Sequence, residues 1–166
     1  MPTPTVAEQL IAGGRDLIDR EGAGDLSVRR LVEAAGRSTM CVYSHFGNRK
    51  RLLAEIYRSC ADELLAGLRS GATVPELARG YAAYAAERPR HLQYLFASDL
   101  QHLGLDPALR LDLIDAAVGL VAERMDGASR AEAVDAWLRM HGVAWLDSIQ
   151  RLAGQEGRFA TAPQTD

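Results

Sequence analysis

Between Leu26 and Tyr57 the chain reads LSVRRLVEAAGRSTMCVYSHFGNRKRLLAEIY. Two short helical patterns meet there at one glycine. Ser27 is placed to cap the first, whose apolar positions Val28, Leu31, Val32 and Ala35 fall at i, i+3, i+4 and i+7. Gly36 ends it where a tight turn calls for a positive φ. Ser38 is placed to cap a second, very short helix through about His45, broken by Gly47 and Asn48. Turns of this kind between short helices present a helix to the major groove of DNA, and nothing else in the chain is as specific.

The rest of the chain reads as helix. A first helix spans about Thr5 to Glu21, with Val6, Leu10, Ile11, Leu17 and Ile18 on one face. Another runs from about Arg49 to Leu68, with Leu53, Ile56, Tyr57, Cys60 and Leu64 along one side. Further helices are expected from about Pro75 to Glu87, after Pro89, from about Pro107 to Met125, and from a Ser129 cap to about Leu152. Runs that alternate as strands do are absent from the sequence. The expectation is an all-α chain: a DNA-binding domain over residues 1–50, a helical ligand-binding and dimerisation bundle over 51–154, and a frayed tail over 155–166.

Charge sharpens the functional reading. The whole chain carries a formal net charge of −3. From Arg29 to Arg51, however, there are six basic residues and one acidic residue, Glu33, a net of +5. The remainder therefore carries −8. A basic segment on an acidic body suits a protein that meets phosphate with one end; a merely solvated basic face is the alternative.

In the short helix after Gly36, Val42 and Phe46 lie at i, i+4 and can anchor it, leaving Thr39, Met40, Tyr43 and Ser44 on or near the other face. Thr39 offers a hydroxyl, Met40 and Cys41 can meet a thymine methyl, and Tyr43 and His45 can reach phosphate oxygens. Arg49 is expected to hold phosphate at the start of the fourth helix, and Arg29 to touch backbone or guanine. With the caps Ser27 and Ser38, these residues form the candidate DNA surface. The alternative is a hairpin packed in a core, with Tyr43 an ordinary buried aromatic.

These residues carry a resemblance. Ser27, the Ala35–Gly36 pair, Tyr43, Phe46 and Arg49–Lys50 followed by Leu52–Leu53 resemble, in order and spacing, the N-terminal domain of the TetR/AcrR family of transcriptional regulators. Arg37 stands where an aliphatic residue is usual, and Met40 and Cys41 where smaller residues are common. The resemblance implies a homodimeric repressor of a palindromic operator on double-stranded DNA, released by a small-molecule effector. AWLRMHGVAWL places Trp137, His141 and Gly142 as in a subgroup whose C-terminal domain has a Trp-His-Gly signature.

In the second half, His91, Tyr94, Phe96, His102, Trp137 and His141 mix aromatic and polar groups as a small-molecule pocket would. Trp137 and His141 also join Ala144, Trp145, Ser148 and Leu152 in a stripe. The last four, with Leu113 and Val121, are candidates for a self-complementary dimer surface. The stripe reads equally as pocket, interface or plain core. Asp99 and His102, at i, i+3, are too few for a metal site, and HExxH and clustered CxxC spacings are missing. Neither a phosphate-binding glycine loop nor a nucleophile elbow occurs, so no metal, cofactor or enzymatic activity is expected. Two rivals remain: a helical adaptor that binds a protein through the stripe near Trp137 and Trp145, and a small metal-dependent enzyme built on His91 to His102.

No apolar run approaches a membrane span, and the start lacks a basic patch followed by an apolar core. With two cysteines, Cys41 and Cys60, each at or near an apolar helical position, a reducing cytoplasm is expected and packed thiols are preferred to reactive ones.

Overall fold

Helix starts are written into the chain by side chains that satisfy the free N–H groups of a first turn. In the computed structural model, which describes residues 3–159, three helices open with a reciprocal capping box. Thr5 and Glu8 open α1 (Val6–Glu21), Thr73 and Glu76 open α5 (Val74–Glu87), and Ser129 and Glu132 open α8 (Arg130–Leu152). Accepting those hydrogen bonds holds the Glu8 and Glu132 carboxyls below the usual carboxylate range. The remaining helices are α2 (Val28–Ala34), α3 (Thr39–Phe46), α4 (Arg49–Arg69), α6 (Pro89–Phe96) and α7 (Ala108–Ala122). Among the described residues there is no strand, and no helix is long and apolar enough to cross a membrane.

Two caps work differently from expectation. Ser27 and Ser38 occupy the N-cap positions of α2 and α3, but neither side chain makes the capping bond. The Ser27 backbone N–H donates instead to Asp25 Oδ1 (3.1 Å). The predicted helix from Pro107 to Met125 starts one residue later and stops at Ala122, because the chain turns through Glu123 to Ala128 before the Ser129 cap. Of the expected frayed tail, residues 156–159 form turns, and the Phe159 N–H donates to Gln150 Oε1 (2.9 Å). Residues 160–166 lie outside the described residues.

α4 is the central element. It buries Leu52, Leu53, Ile56, Tyr57, Cys60, Ala61, Leu64, Leu65 and Leu68, and packs against α1, α3, α5, α6 and α7. Each fully buried leucine is worth roughly 1.5–3 kcal/mol relative to exposure. The helix runs unbroken across the boundary expected at residue 50. A single hydrophobic cluster therefore continues from Leu10, Leu31 and Val42 to Trp137 and Ala144.

α1 sits close enough to the α2–α3 turn to require glycine. A Cβ at Gly13 would lie 2.7 Å from the Ala35 Cα and backbone N. That close packing sets the α2–α3 pair firmly on α1.

Candidate nucleic-acid interface

The turn between α2 and α3 is a Schellman motif. Gly36 takes φ +62°, its N–H donates to the Glu33 carbonyl (3.1 Å), and the Arg37 N–H donates to the Val32 carbonyl (2.8 Å). The turn fixes how α3 leaves α2. Val42, fully buried, and Phe46, half-buried, anchor α3 inward as the spacing predicts.

The outer face of α3 is open. Met40 is 71% exposed and Tyr43 56% exposed, and Thr39, Ser44 and His45 are exposed beside them. Large side chains held outward on a short, anchored helix do not serve the core. Ser44 donates its hydroxyl to the Cys41 carbonyl (3.3 Å), which turns its oxygen back along the helix. Cys41 is half-buried, with Sγ 3.5 Å from Ser38 Oγ; hydrogen bonds from the Ser38 side chain and backbone hold the thiol below its ordinary range. Arg29 is exposed on α2 and Ser27 is half-buried at its start.

Cations flank this face. Lys50 and Arg51 are exposed in the first turn of α4, where Asn48 caps the helix by accepting from the Arg51 N–H (2.9 Å). A groove lined by Tyr43, His45, Lys50 and Arg51 runs back to Ile11 of α1. Lys50 and Arg51 were absent from the expected contact set, although their place next to the Asn48 cap marks them in the sequence. Arg37 is exposed too, and donates to the Gln9 side chain of α1.

Arg49 departs from expectation. Its guanidinium is turned inward: Nε donates to the Leu26 carbonyl (2.7 Å) and Nη1 to the Leu103 carbonyl (3.3 Å). As the first residue of α4 it sits on the side facing the body, so its reach is used within the fold.

The residues expected to share a ligand pocket fall into three places. His91 is 1% exposed, between α1 and α4; its Nε2 lies 3.0 Å from the Arg15 carbonyl and 3.4 Å from Asp19 Oδ1. Around it Arg88 pairs with Asp19, and Arg15 with Glu63. Tyr94 is fully buried, donates to the Leu53 carbonyl (3.3 Å), and edges a groove that it shares with the exposed His102. Phe96, Trp137 and His141 do come together, with Tyr81 and Trp145. Tyr81 Oη is 2.6 Å from His141 Nδ1, and the His141 ring lies 4.5 Å from Phe96 and 5.5 Å from Trp137. Burial holds the His141 imidazole below its ordinary value.

The expected dimer stripe is also redistributed. Leu113, Val121, Ala144 and Ser148 are buried within the chain, and Trp145 and Leu152 are half-buried. Leu113, Val121, Ala144 and Trp145 pack within the core of the same chain, where α8 lies on α5, α6 and α7. The apolar side chains that α8 leaves exposed are Leu138, Val143, Leu146 and Ile149. Asp99 and His102 do not form a ligand pair; Asp99 Oδ1 accepts from the His102 backbone N–H (3.0 Å). Among the described residues no three metal-ligating side chains cluster.

Comparison with known proteins bears on this geometry. Residues 10–56 match the family described as bacterial regulatory proteins, tetR family. A comparison with curated proteins gave no match. Among solved structures, the chain is similar to a possible TetR family transcriptional regulator from Streptomyces coelicolor A3(2). That likeness has TM-score 0.57 and 19% identity, and covers 92% of this chain and 76% of the other. It is also similar to a TetR transcriptional regulator from Streptomyces coelicolor, with TM-score 0.54, 19% identity, and coverage of 90% and 91%. These likenesses show the fold. The matched segment starts in α1, contains α2, the glycine turn and α3 with its exposed Met40 and Tyr43, and ends in α4. Residues 10–56 thus match the tetR family of bacterial regulatory proteins, over the segment that holds the glycine turn and the exposed face of α3.

Proposed function

We propose that the chain is a homodimeric repressor that binds a palindromic operator through two copies of α3 and is released by a small-molecule effector, acting in the cytoplasm and without catalysis. The observation that carries this reading is the outward face of α3, where Met40 and Tyr43 stand exposed between the Val42 anchor and the Lys50–Arg51 cations. Thr39, Met40 and Tyr43 reach base edges and flanking phosphates; Lys50, Arg51 and Arg29 supply positive charge along the backbone.

A second copy is supported by α8. Leu138, Val143, Leu146 and Ile149 leave an apolar face on the last helix, which packs on α5, α6 and α7. A twofold axis through such a face repeats the head, as a palindrome requires. Release is supported by the groove between residues 22–24 and Tyr94, Ser98 and His102, where the head meets the body. An effector that favours a different spacing of the heads weakens DNA binding by the factor with which DNA weakens its own binding.

Selection of bound duplexes from a random pool tests the reading. The expected outcome is a pseudo-palindrome with half-sites about one duplex turn, ~34 Å, apart. Recovery of no duplex above background would end it. Leu146→Asp should convert a dimer to a monomer in sedimentation while helical content stays unchanged; retention of the dimer would remove α8 from the interface.

A further inference from the structure

Two segments far apart in sequence are tied together by one side chain. Leu26 lies in the connector between α1 and α2, within the head. Leu103 lies in the segment 97–107 between α6 and α7, within the body. Both leucines are buried, and both carbonyls accept from the Arg49 guanidinium. The body segment is itself held. Arg110 donates Nε to the Leu95 carbonyl (2.8 Å) and Nη2 to the Ser98 carbonyl (2.6 Å), and the Leu105 N–H donates to the Leu100 carbonyl (2.7 Å). Leu100, Leu103 and Leu105 anchor it in the core.

Arg49 begins α4 three residues after α3 ends. A shift of the Leu103 carbonyl therefore pulls on the start of α4 and on the connector that leads into α2. These are the two ends from which the α2–α3 pair is hung. A planar guanidinium with donors in a fixed fork suits this joint, since it fixes direction as well as distance; a lysine ammonium can satisfy one carbonyl but sets no plane.

We infer that Arg49 is a positioning residue for DNA binding, locking the recognition head to the 97–107 segment of the body rather than serving as a phosphate ligand. The inference rests on the DNA-binding reading of α3, and the two are tested separately. First, the wild-type chain is titrated with the duplex it selects from the random pool; absence of binding removes the function itself, and the inference with it. Second, Arg49→Gln and Arg49→Lys are compared with wild type on that duplex over a range of salt concentrations. Arg49→Gln should bind about tenfold more weakly per folded molecule, within the usual span of coupling between sites. The slope of log affinity against log salt should stay at the wild-type value. Arg49→Lys should lose less.

Third, amide exchange is followed without DNA. Residues 24–28 and 100–106 should both exchange faster in Arg49→Gln, while α8 keeps its wild-type protection. A salt slope reduced by about 0.9, the value for one phosphate contact, would make Arg49 a phosphate ligand and overturn the inference. So would faster exchange in only one of the two segments, or unchanged affinity of a less stable protein. If Arg49→Gln does not fold, Arg49→Met, which keeps the apolar stem and removes the charge and the donors, decides by the same three readings.

Discussion

The head and the body use the same side chain in opposite ways. The chain has five tyrosines. Tyr57, Tyr81, Tyr84 and Tyr94 are buried, and each hydroxyl has a partner: the Leu95 carbonyl at 3.0 Å, His141 Nδ1 at 2.6 Å, the Cys60 carbonyl at 3.3 Å and the Leu53 carbonyl at 3.3 Å. Burial pushes the Tyr57 hydroxyl up to about 12 and the other three further. Tyr43, in the head, is more than half exposed. A buried tyrosine must bury its polar tip with a partner; an exposed one keeps that tip for something else. The contrast is what the proposed use of α3 as an interface rests on, while the four tyrosines of the body are satisfied within the fold.

The largest test of this contrast is truncation of both kinds of tyrosine. Tyr94→Ala should destabilise by roughly 3–5 kcal/mol in urea unfolding, as removal of a large core aromatic does. Tyr43→Ala should change stability by no more than about 0.5 kcal/mol, as at other surface sites. It should instead weaken binding to the selected duplex. Equal loss of stability in both variants would erase the distinction.

Gly13→Ala is expected to have a smaller effect, about 1–3 kcal/mol, because the added methyl meets the Ala35 backbone rather than a flexible side chain. Since Ala35 precedes the Gly36 turn, the same variant should bind the selected duplex less tightly per folded molecule. Wild-type stability would show that α1 can shift without cost. The smallest expected effect belongs to the body. Burial lowers the His141 pKa, so between its unfolded value near 6.5 and its folded value the unfolded chain binds more protons. Its neutral form thus contributes stability that is full above 6.5 and is lost as pH falls from there through the folded value. His141→Phe should flatten that limb of a stability–pH curve; an unchanged slope would place the titration elsewhere.

The candidate site was legible in unequal parts. The Gly36 turn, the Val42 anchor and the outward Tyr43 could be read because each follows from spacing within one short helix. The direction of Arg49 could not, since Leu26 and Leu103 are distant in sequence and carbonyl acceptors leave no mark in side-chain chemistry. His91 and Phe96 illustrate the same limit: they are close on one short helix, yet one enters an ionic cluster against α1 and α4 and the other an aromatic cluster against α8.

Taken alone, the order of residues determined where most helices begin, though not where α7 ends, and it determined the turn between α2 and α3. Those features depend on φ preferences, capping side chains and periodicity, all of which act over a few residues. Only tertiary packing decided which apolar face is covered. Ala144 and Leu146 are both apolar and two positions apart on α8, yet one is sealed against its neighbours and the other left open. The reason is that burial depends on what lies across from a side chain, and in this fold the opposing helices come from distant parts of the chain.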